Sequence, residues 1–315
     1  MKKILSVLLC LTLLLGLCAC GAGPVESGEG EIHIVTTVFP AYDFARQIAG
    51  ERARVMLLVP PGAESHSFEP TAQDLLRIRD CDLFFYNGGE SEAWVEELLE
   101  GQDALPPTLR MLDCVEALEE EVKEGMQAGH EEEEAEEEGP EYDEHVWTSP
   151  RKALQICQCL CETLCALDPA GESLYRENLA RYGAELKALD EAFRQVTENA
   201  ARHTVIFADR FPVRYFVEEY GLDYFAAFPG CVDDTEPSAK TVAFLIDRVR
   251  QEQVPAVFYI EFSNEKMADV ICEDTGCRKL LFHSCHNVST GQLRDGISYL
   301  ELMEKNVIAL KEALG

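Results

Sequence analysis

Basic residues are scarce in this sequence, which has 27 lysines and arginines against 58 aspartates and glutamates and a formal net charge of -31. A nucleic-acid-binding protein must neutralise phosphates with Lys and Arg. The composition therefore argues against a nucleic-acid partner, and it suits a cationic partner or high solubility. The sequence is 47% hydrophobic and 27% charged, which is typical of a globular protein rather than a disordered one.

Several motifs that identify common enzymes or nucleotide-binding proteins are also missing. The sequence contains no HExxH, GxxxxGKS/T, GxSxG or GxGxxG pattern. The sequence therefore gives no support for a zincin protease, a P-loop protein, an α/β-hydrolase or a Rossmann dinucleotide-binding protein.

A long apolar run occurs only at the N-terminus. The sequence begins MKK, continues with ILSVLLCLTLLLG, and then reads LCAC at residues 17–20. A basic start and a short apolar core are typical of a secretory signal peptide, and LCAC followed by Gly21 resembles a bacterial lipobox. That resemblance implies cleavage before Cys20 and lipidation of this cysteine; an ordinary secretory signal is the alternative. We therefore predict a signal peptide at 1–19, a tether at 20–30, and a protein anchored through Cys20 to the extracytoplasmic face of a bacterial cell membrane.

Cysteines, in contrast, are numerous, with thirteen in 315 residues. Export normally favours disulfides, but Cys157, Cys161 and Cys165 are spaced by four and share one face of a predicted helix, which hinders bridging. We predict that they are small core residues; a thiolate metal site is the alternative. Cys272 and Cys277 could pair, and the sequence leaves this open.

Strand and helix patterns alternate in two stretches, separated by one long helical pattern. Apolar residues recur at spacings of three and four from Tyr175 to Val196. We therefore predict an α/β fold with two β/α lobes with parallel-type sheets: an N-terminal lobe at 31–170 with an acidic loop at 116–144, a linking helix at 171–200, and a C-terminal lobe at 201–315. Clefts between such lobes, at the carboxyl ends of the strands, are where ligands bind.

Three histidines and one aspartate lie where such a cleft would bring them together. His66 follows a predicted strand, His283 ends another, His145 precedes a Ser-Pro helix start, and Asp209 ends a strand in the second stretch. Imidazoles with one carboxylate suit Zn²⁺, which prefers four tetrahedral ligands, whereas Mn²⁺ prefers more oxygen ligands. We expect these four residues to bind Zn²⁺, with His286 as the reserve ligand for His283.

Two segments resemble the metal-binding segments of the zinc/manganese ABC transporter substrate-binding lipoproteins. PPGAESHSFEP at residues 60–70 matches the family's Gly-x-x-x-His-x-x-Glu-Pro loop, and EYDEHVWTSP at 141–150 matches Asp-x-His-x-Trp-x-Ser-Pro. The resemblance implies two β/α lobes joined by a rigid helix, a metal in the cleft and delivery to an ABC transporter permease. The sequence departs from the pattern at the third ligand, where Asp209 is one residue from the usual position, and at the fourth, where His283 stands in place of an acid.

The glutamate-rich run at 131–138 falls where zinc-selective members of that family carry an acidic, His-rich loop. It holds one histidine at its edge, His130. We predict a mobile loop that collects cations weakly and is not part of the tight site; a solvated spacer without a metal role is the alternative.

The function predicted from the sequence is therefore Zn²⁺ binding and delivery to an ABC importer, not catalysis. Four protein ligands would leave no position for the water that catalytic zinc requires. Three alternatives remain: the same scaffold carrying Mn²⁺ or Fe²⁺, a zinc-dependent hydrolase with three protein ligands and a base such as Glu261, and a surface adhesin that uses the lobes structurally.

Overall fold

The structure, a computed structural model, contains two four-stranded sheets in which neighbouring strands are parallel. It describes residues 31–64, 66–100, 105–127, 141–230 and 236–315. The predicted signal peptide, the tether with Cys20 and the glutamate-rich run lie outside the described residues.

The first sheet lies in the N-terminal half of the chain. Its strands are β1 (Ile32–Thr36), β2 (Ala53–Leu57), β3 (Leu83–Tyr86) and β4 (Thr108–Arg110), in the order β2-β1-β3-β4. The helices between them are α1 (Phe39–Ala49), α2 (Ala72–Arg79) and α3 (Ala93–Glu100). Strand β3, with the sequence LFFY, is buried along its whole length, as is typical of a central parallel strand covered on both faces.

Two helices then lead from the first sheet to the second, α4 (Pro150–Leu167) and α5 (Glu172–Glu198). Helix α5 has 27 residues and is therefore about 40 Å long. Its buried side includes Tyr182, Leu186 and Phe193, which belong to the apolar stripe in the sequence. It packs against α1 and α4 and also against the last helix of the chain, so the predicted linking helix contacts both halves of the molecule.

The second sheet lies in the C-terminal half. Its strands are β5 (Thr204–Phe211), β6 (Asp223–Pro229), β7 (Ala256–Tyr259) and β8 (Arg278–Leu281), in the order β6-β5-β7-β8. Its helices are α6 (Arg214–Tyr220), α7 (Ala239–Glu252), α8 (Lys266–Thr275), α9 (Thr290–Arg294) and α10 (Tyr299–Leu314). None of the helices in the described ranges is long and apolar enough to cross a membrane.

One hydrophobic core extends through both halves. It includes Phe85 of β3, Phe193 of α5 and Phe258 of β7, and Ile32–Gly315 form one compact unit. The predicted α/β fold, with two parallel sheets joined by a long helix, is confirmed. The lobe boundaries at 31–170 and 201–315 stay predictions.

Candidate metal centre

His66 lies in the loop after β2, and a buried carboxylate lies beside its ring. Its Nδ1 is 3.0 Å from Oε1 of Glu144, and Glu144 also accepts a hydrogen bond of 2.7 Å from the hydroxyl of Ser91. Burial would raise the pKa of Glu144, but His66 and Ser91 outweigh it and the pKa is lowered. The two atoms lie at ion-pair distance but outside hydrogen-bond geometry, so Glu144 places a negative charge beside the ring of His66 without fixing its tautomer.

His145 is fully buried and stands directly before the short helical turn Val146–Thr148, which leads into α4. Oδ1 of Asp143 lies 3.1 Å from Nδ1 of His145 and also accepts the backbone N–H of His145 at 2.8 Å. Burial opposes protonation, but Asp143 outweighs it and raises the pKa of His145. Nε2 of His145 is buried and has no hydrogen-bond partner among the described residues.

His286 reaches the same place from the second half of the chain. It follows Cys285, whose positive φ of 63° turns the chain sharply after β8. Burial, and then the positive charges of His66, His145 and Arg210, hold the pKa of His286 well below its usual value. The ring is therefore neutral, as metal binding requires, and its Nε2 is also buried without a partner in the described part of the chain.

The three histidines form a compact cluster. One ring nitrogen from each lies within 4.8 Å of the other two, and the ring centroids are 4.8 to 5.5 Å apart. A tetrahedral Zn²⁺ ion with Zn–N bonds of about 2.0 Å separates its nitrogen ligands by about 3.3 Å. A small contraction of the rings would therefore bring all three to bonding distance. Within the described ranges this is the one group of three or more metal-binding side chains.

The structure does not bring His283 to this cluster, although the sequence favoured it over His286. Asn306 of α10 accepts the backbone N–H of His283 at 2.7 Å and donates to its carbonyl oxygen at 2.8 Å. These two bonds hold His283 against α10. Burial, together with the charge of Lys305, lowers the pKa of His283 to about 4. The cluster therefore contains the reserve residue His286 and not His283, and which of them binds the metal stays a prediction.

Asp209 also lies outside the cluster. It belongs to β5 instead of following it, and its carboxylate accepts the backbone N–H groups of Arg210 at 2.8 Å and Ile260 at 3.2 Å. Burial raises its pKa. Asp209 thus ties the end of β5 to the end of β7, and its oxygens face backbone amides rather than the imidazoles.

The cluster opens onto a cavity of about 210 Å³ whose wall includes Glu64, Arg210, Glu261 and Ser284. Glu261 accepts hydrogen bonds from the backbone N–H and the hydroxyl of Ser284, both at 2.7 Å. Glu64 and Arg210 form an ion pair, with Oε2 and Nη2 3.1 Å apart. That pair joins the loop after β2 to strand β5, so it crosses the cleft between the two sheets.

Three side chains that organise this site were not predicted from the sequence. Asp143 and Glu144 directly precede His145 in EYDEHVW, and two acids beside a candidate ligand were a usable signal for carboxylates that orient imidazoles. Arg210 had no such signal, because its partner Glu64 is 146 positions away in the chain.

The fold and the histidine cluster define the class as a two-lobed α/β protein with a candidate metal-binding cleft. The family described as ZnuA, zinc-uptake complex component A, periplasmic, matches residues 34–313, and the chain belongs to this family.

Two curated relatives illustrate the similarity. The chain is 31% identical over 318 residues to the zinc-binding lipoprotein AdcA of Streptococcus pneumoniae, covering 99% of this chain but 61% of AdcA. It is 29% identical over 304 residues to the high-affinity zinc uptake system protein ZnuA of Bacillus subtilis, covering 94% of this chain and 93% of that protein. The chain therefore spans less than two thirds of the length of AdcA.

Solved structures share the fold. The Zn(II)-bound ZnuA-like domain of Streptococcus pneumoniae AdcA superposes with a TM-score of 0.75 at 27% identity, covering 90% of this chain and 99% of that domain.

Proposed function

We propose that this chain is a lipid-anchored, extracytoplasmic protein that binds Zn²⁺ in the cleft and delivers it to the permease of an ABC importer. The observation that carries the proposal is the buried cluster in which Nε2 of His145 and Nε2 of His286 have no hydrogen-bond partner among the described residues. A buried polar atom without a partner costs about 1–3 kcal/mol, and a bound metal ion would remove that cost. The zinc-binding and zinc-uptake relatives support the same cargo.

The donor set favours Zn²⁺ over Mn²⁺. Imidazole suits zinc, whereas manganese prefers oxygen ligands. The carboxylates closest to His66 and His145, Glu144 and Asp143, face the Nδ1 atoms and therefore support the histidines instead of binding the ion. The alternative cargoes are Mn²⁺ and Fe²⁺. Elemental analysis of protein purified without chelators decides among the three metals, and we expect one zinc per chain.

A zinc-dependent hydrolase is the less favoured function for the same histidine cluster. Three imidazoles would leave a position for water, but catalysis also needs a base that can reach it. The candidate base, Glu261, accepts two hydrogen bonds from Ser284. We therefore favour binding and release of the ion over catalysis.

Uptake of radioactive zinc by intact cells tests the proposed transport function. Cells that lack the protein should take up little zinc from chelated medium, and the wild-type gene should restore uptake. A His145→Ala gene should fail to restore it, and a His33→Ala gene should succeed, because His33 lies in β1, away from the cluster. Normal uptake in cells without the protein would contradict the proposal and favour a structural role such as adhesion.

The proposed lipid anchor at Cys20 rests on the sequence LCAC at residues 17–20, and a separate experiment tests it. The Cys20→Ser protein should be released to the medium or keep an uncleaved signal peptide. Unchanged mass and unchanged membrane association would rule out lipidation at this cysteine.

A further inference from the structure

The histidine cluster leaves one coordination position to be filled. Zn²⁺ prefers four ligands in tetrahedral geometry, and the described residues bring three imidazoles together. The fourth ligand must be a side chain on the same cavity, a water molecule or a bound anion. The polar side chains of the cavity wall show which of these is available.

Two of the charged side chains on the described cavity wall are poorly suited to be the fourth zinc ligand. Glu261 is bonded to the backbone and the hydroxyl of Ser284, and Arg210 has only donor groups and does not bind cations. Glu64 is the other carboxylate on this wall. Every carboxylate offers about four acceptor positions, but the contacts of Glu64 to Arg210 at 3.1 Å and to the backbone of His66 at 3.4 Å are longer than the two 2.7 Å bonds of Glu261. Glu64 is therefore the easier of the two to turn toward an ion.

The loop that carries Glu64 is fixed against the second half of the protein. The side-chain amide of Asn287 donates hydrogen bonds to the carbonyl oxygens of Pro60, at 2.9 Å, and Ala63, at 2.8 Å. Glu64 follows directly, and its Oε1 lies 3.4 Å from the backbone nitrogen of His66. The carboxylate is therefore held beside the first histidine of the cluster.

Arg210 holds the same carboxylate from the opposite side of the cleft. Its Nη2 is 3.1 Å from Oε2 of Glu64, and the side chains of Arg210 and Glu64 are 12% and 34% exposed. Carboxylates that bind metals are oriented by outer hydrogen bonds of this kind.

Charge supports the same arrangement. Arg210 lines the cavity that the histidines share, and a guanidinium close to Zn²⁺ would repel the ion in a partly buried site. A carboxylate between the two cations turns that repulsion into two attractive contacts. Glu64 lies on the cavity wall that the three histidines share but outside the group of ligand atoms within 4.8 Å of one another, so its side chain would have to turn toward the ion.

We propose that Glu64 is the fourth zinc ligand and that Arg210 is its positioning residue across the cleft. The inference rests on the zinc-binding function proposed above. With these ligands the ion would bridge the two halves of the molecule. His66, His145 and Glu64 come from one half, and His286 and Arg210 come from the other.

The test compares Glu64→Gln and Arg210→Gln in the full chain, using Zn²⁺ and then Co²⁺ as probes. Competition with a chelator should show zinc affinity lowered about 100-fold by Glu64→Gln and about tenfold by Arg210→Gln. The visible absorption of the Co²⁺-loaded protein should change in Glu64→Gln, because a ligand is replaced, and keep its shape in Arg210→Gln. Glu69→Gln is the matched control, since Glu69 is an exposed acid outside the cavity wall, and it should change neither property.

Two results would overturn the proposal. Unchanged affinity and an unchanged Co²⁺ spectrum in Glu64→Gln would assign the fourth position to water or a bound anion. Lower affinity with an unchanged spectrum would show that Glu64 acts through its charge alone. Failure of the zinc-binding function itself gives a different result: the wild-type protein and His145→Ala would then bind zinc equally weakly.

Discussion

His66 and His145, from the N-terminal half of the molecule, are held differently from His286, which comes from the C-terminal half. Each of the first two has a carboxylate within 3.1 Å of Nδ1, supplied by Glu144 or Asp143. No ion pair to the ring of His286 is found among the described residues. Its surroundings instead include the positively charged Arg210.

This difference indicates separate tasks for the two halves. The hydrogen bond to Asp143 fixes the ring of His145 and makes its other nitrogen a stronger ligand. Glu144 adds a negative charge beside the ring of His66, so both histidines are prepared to capture an ion. His286 is kept neutral by burial and needs no proton to leave before it binds. We infer that the N-terminal half would capture the metal and that His286 of the C-terminal half would complete the site.

Removal of the C-terminal imidazole should give the largest loss of zinc affinity among the variants that test this comparison. If about 10 kcal/mol of binding free energy is shared by three imidazoles and one carboxylate, His286→Ala should lose roughly 2.5 kcal/mol, or about 70-fold in zinc affinity. His283→Ala is the matched control, because His283 is equally buried at 8% exposure but lies outside the cluster. Chelator competition measures both. Full affinity in His286→Ala, with a loss in His283→Ala, would restore the ligand first expected from the sequence.

The supporting carboxylates of the N-terminal half should have the next largest effect. Asp143→Asn removes the negative charge of the carboxylate beside Nδ1 of His145 and should lower zinc affinity about 10- to 100-fold. Asp209→Asn, in the C-terminal half, should leave the affinity nearly unchanged, because Asp209 bonds to the backbone of Arg210 and Ile260. Isothermal titration calorimetry with Zn²⁺ measures the affinity of both proteins. Equal losses of affinity would contradict the proposed division of tasks between the two halves.

His283 should affect stability rather than metal binding. Its pKa in the folded protein is about 4, against an ordinary value of 6.5, because of burial and Lys305. Above about pH 6.5 the ring is neutral in the folded and unfolded states, whereas at lower pH the unfolded state binds the proton first and stability falls. The resulting loss of unfolding free energy between about pH 7.5 and about pH 5 is about 2 kcal/mol.

Urea unfolding of the metal-free protein at these two pH values measures that effect. The His283→Gln protein should lose less stability on acidification than the wild type, with unchanged zinc affinity. An identical pH dependence in the two proteins would show that the ring of His283 is not kept neutral by its surroundings.

The smallest effect on the tight site is expected from the glutamate-rich run. Deleting residues 129–139 should remove weak, rapidly exchanging cation sites, because carboxylates in water attract cations only through charges that solvent and salt screen. One tight site should remain in a zinc titration. Loss of the tight site on deletion would show that the loop supplies a ligand.

Periodicity was enough to predict the fold, and the places of His66 after a strand and His145 before a helix start were enough to predict that they lie together. The apolar stripe of α5 and the alternating strands depend on local sequence, and His66 and His145 lie in compact segments where neighbouring residues fix their places. The resemblance of these segments to a known family strengthened the same assignments.

The C-terminal half was harder to predict because its ligand position depends on backbone turns. Strand β5 runs on to Phe211, with a register irregularity between Phe207 and Arg210, so Asp209 lies within the strand. After β8 the positive φ of Cys285 brings His286 to the cleft, three residues beyond the expected ligand. Such turns, and an ion pair as distant in sequence as Glu64 with Arg210, leave no periodic signal.

The zinc K-edge X-ray absorption of the zinc-loaded wild-type protein identifies the atoms bound to the ion and thus the donor set of the site. A site built from His66, His145 and His286 predicts imidazole scattering from three rings, with one further oxygen and all bonds at about 2.0–2.1 Å. Sulfur scattering at about 2.3 Å, or fewer than three imidazoles, would contradict this account of the site.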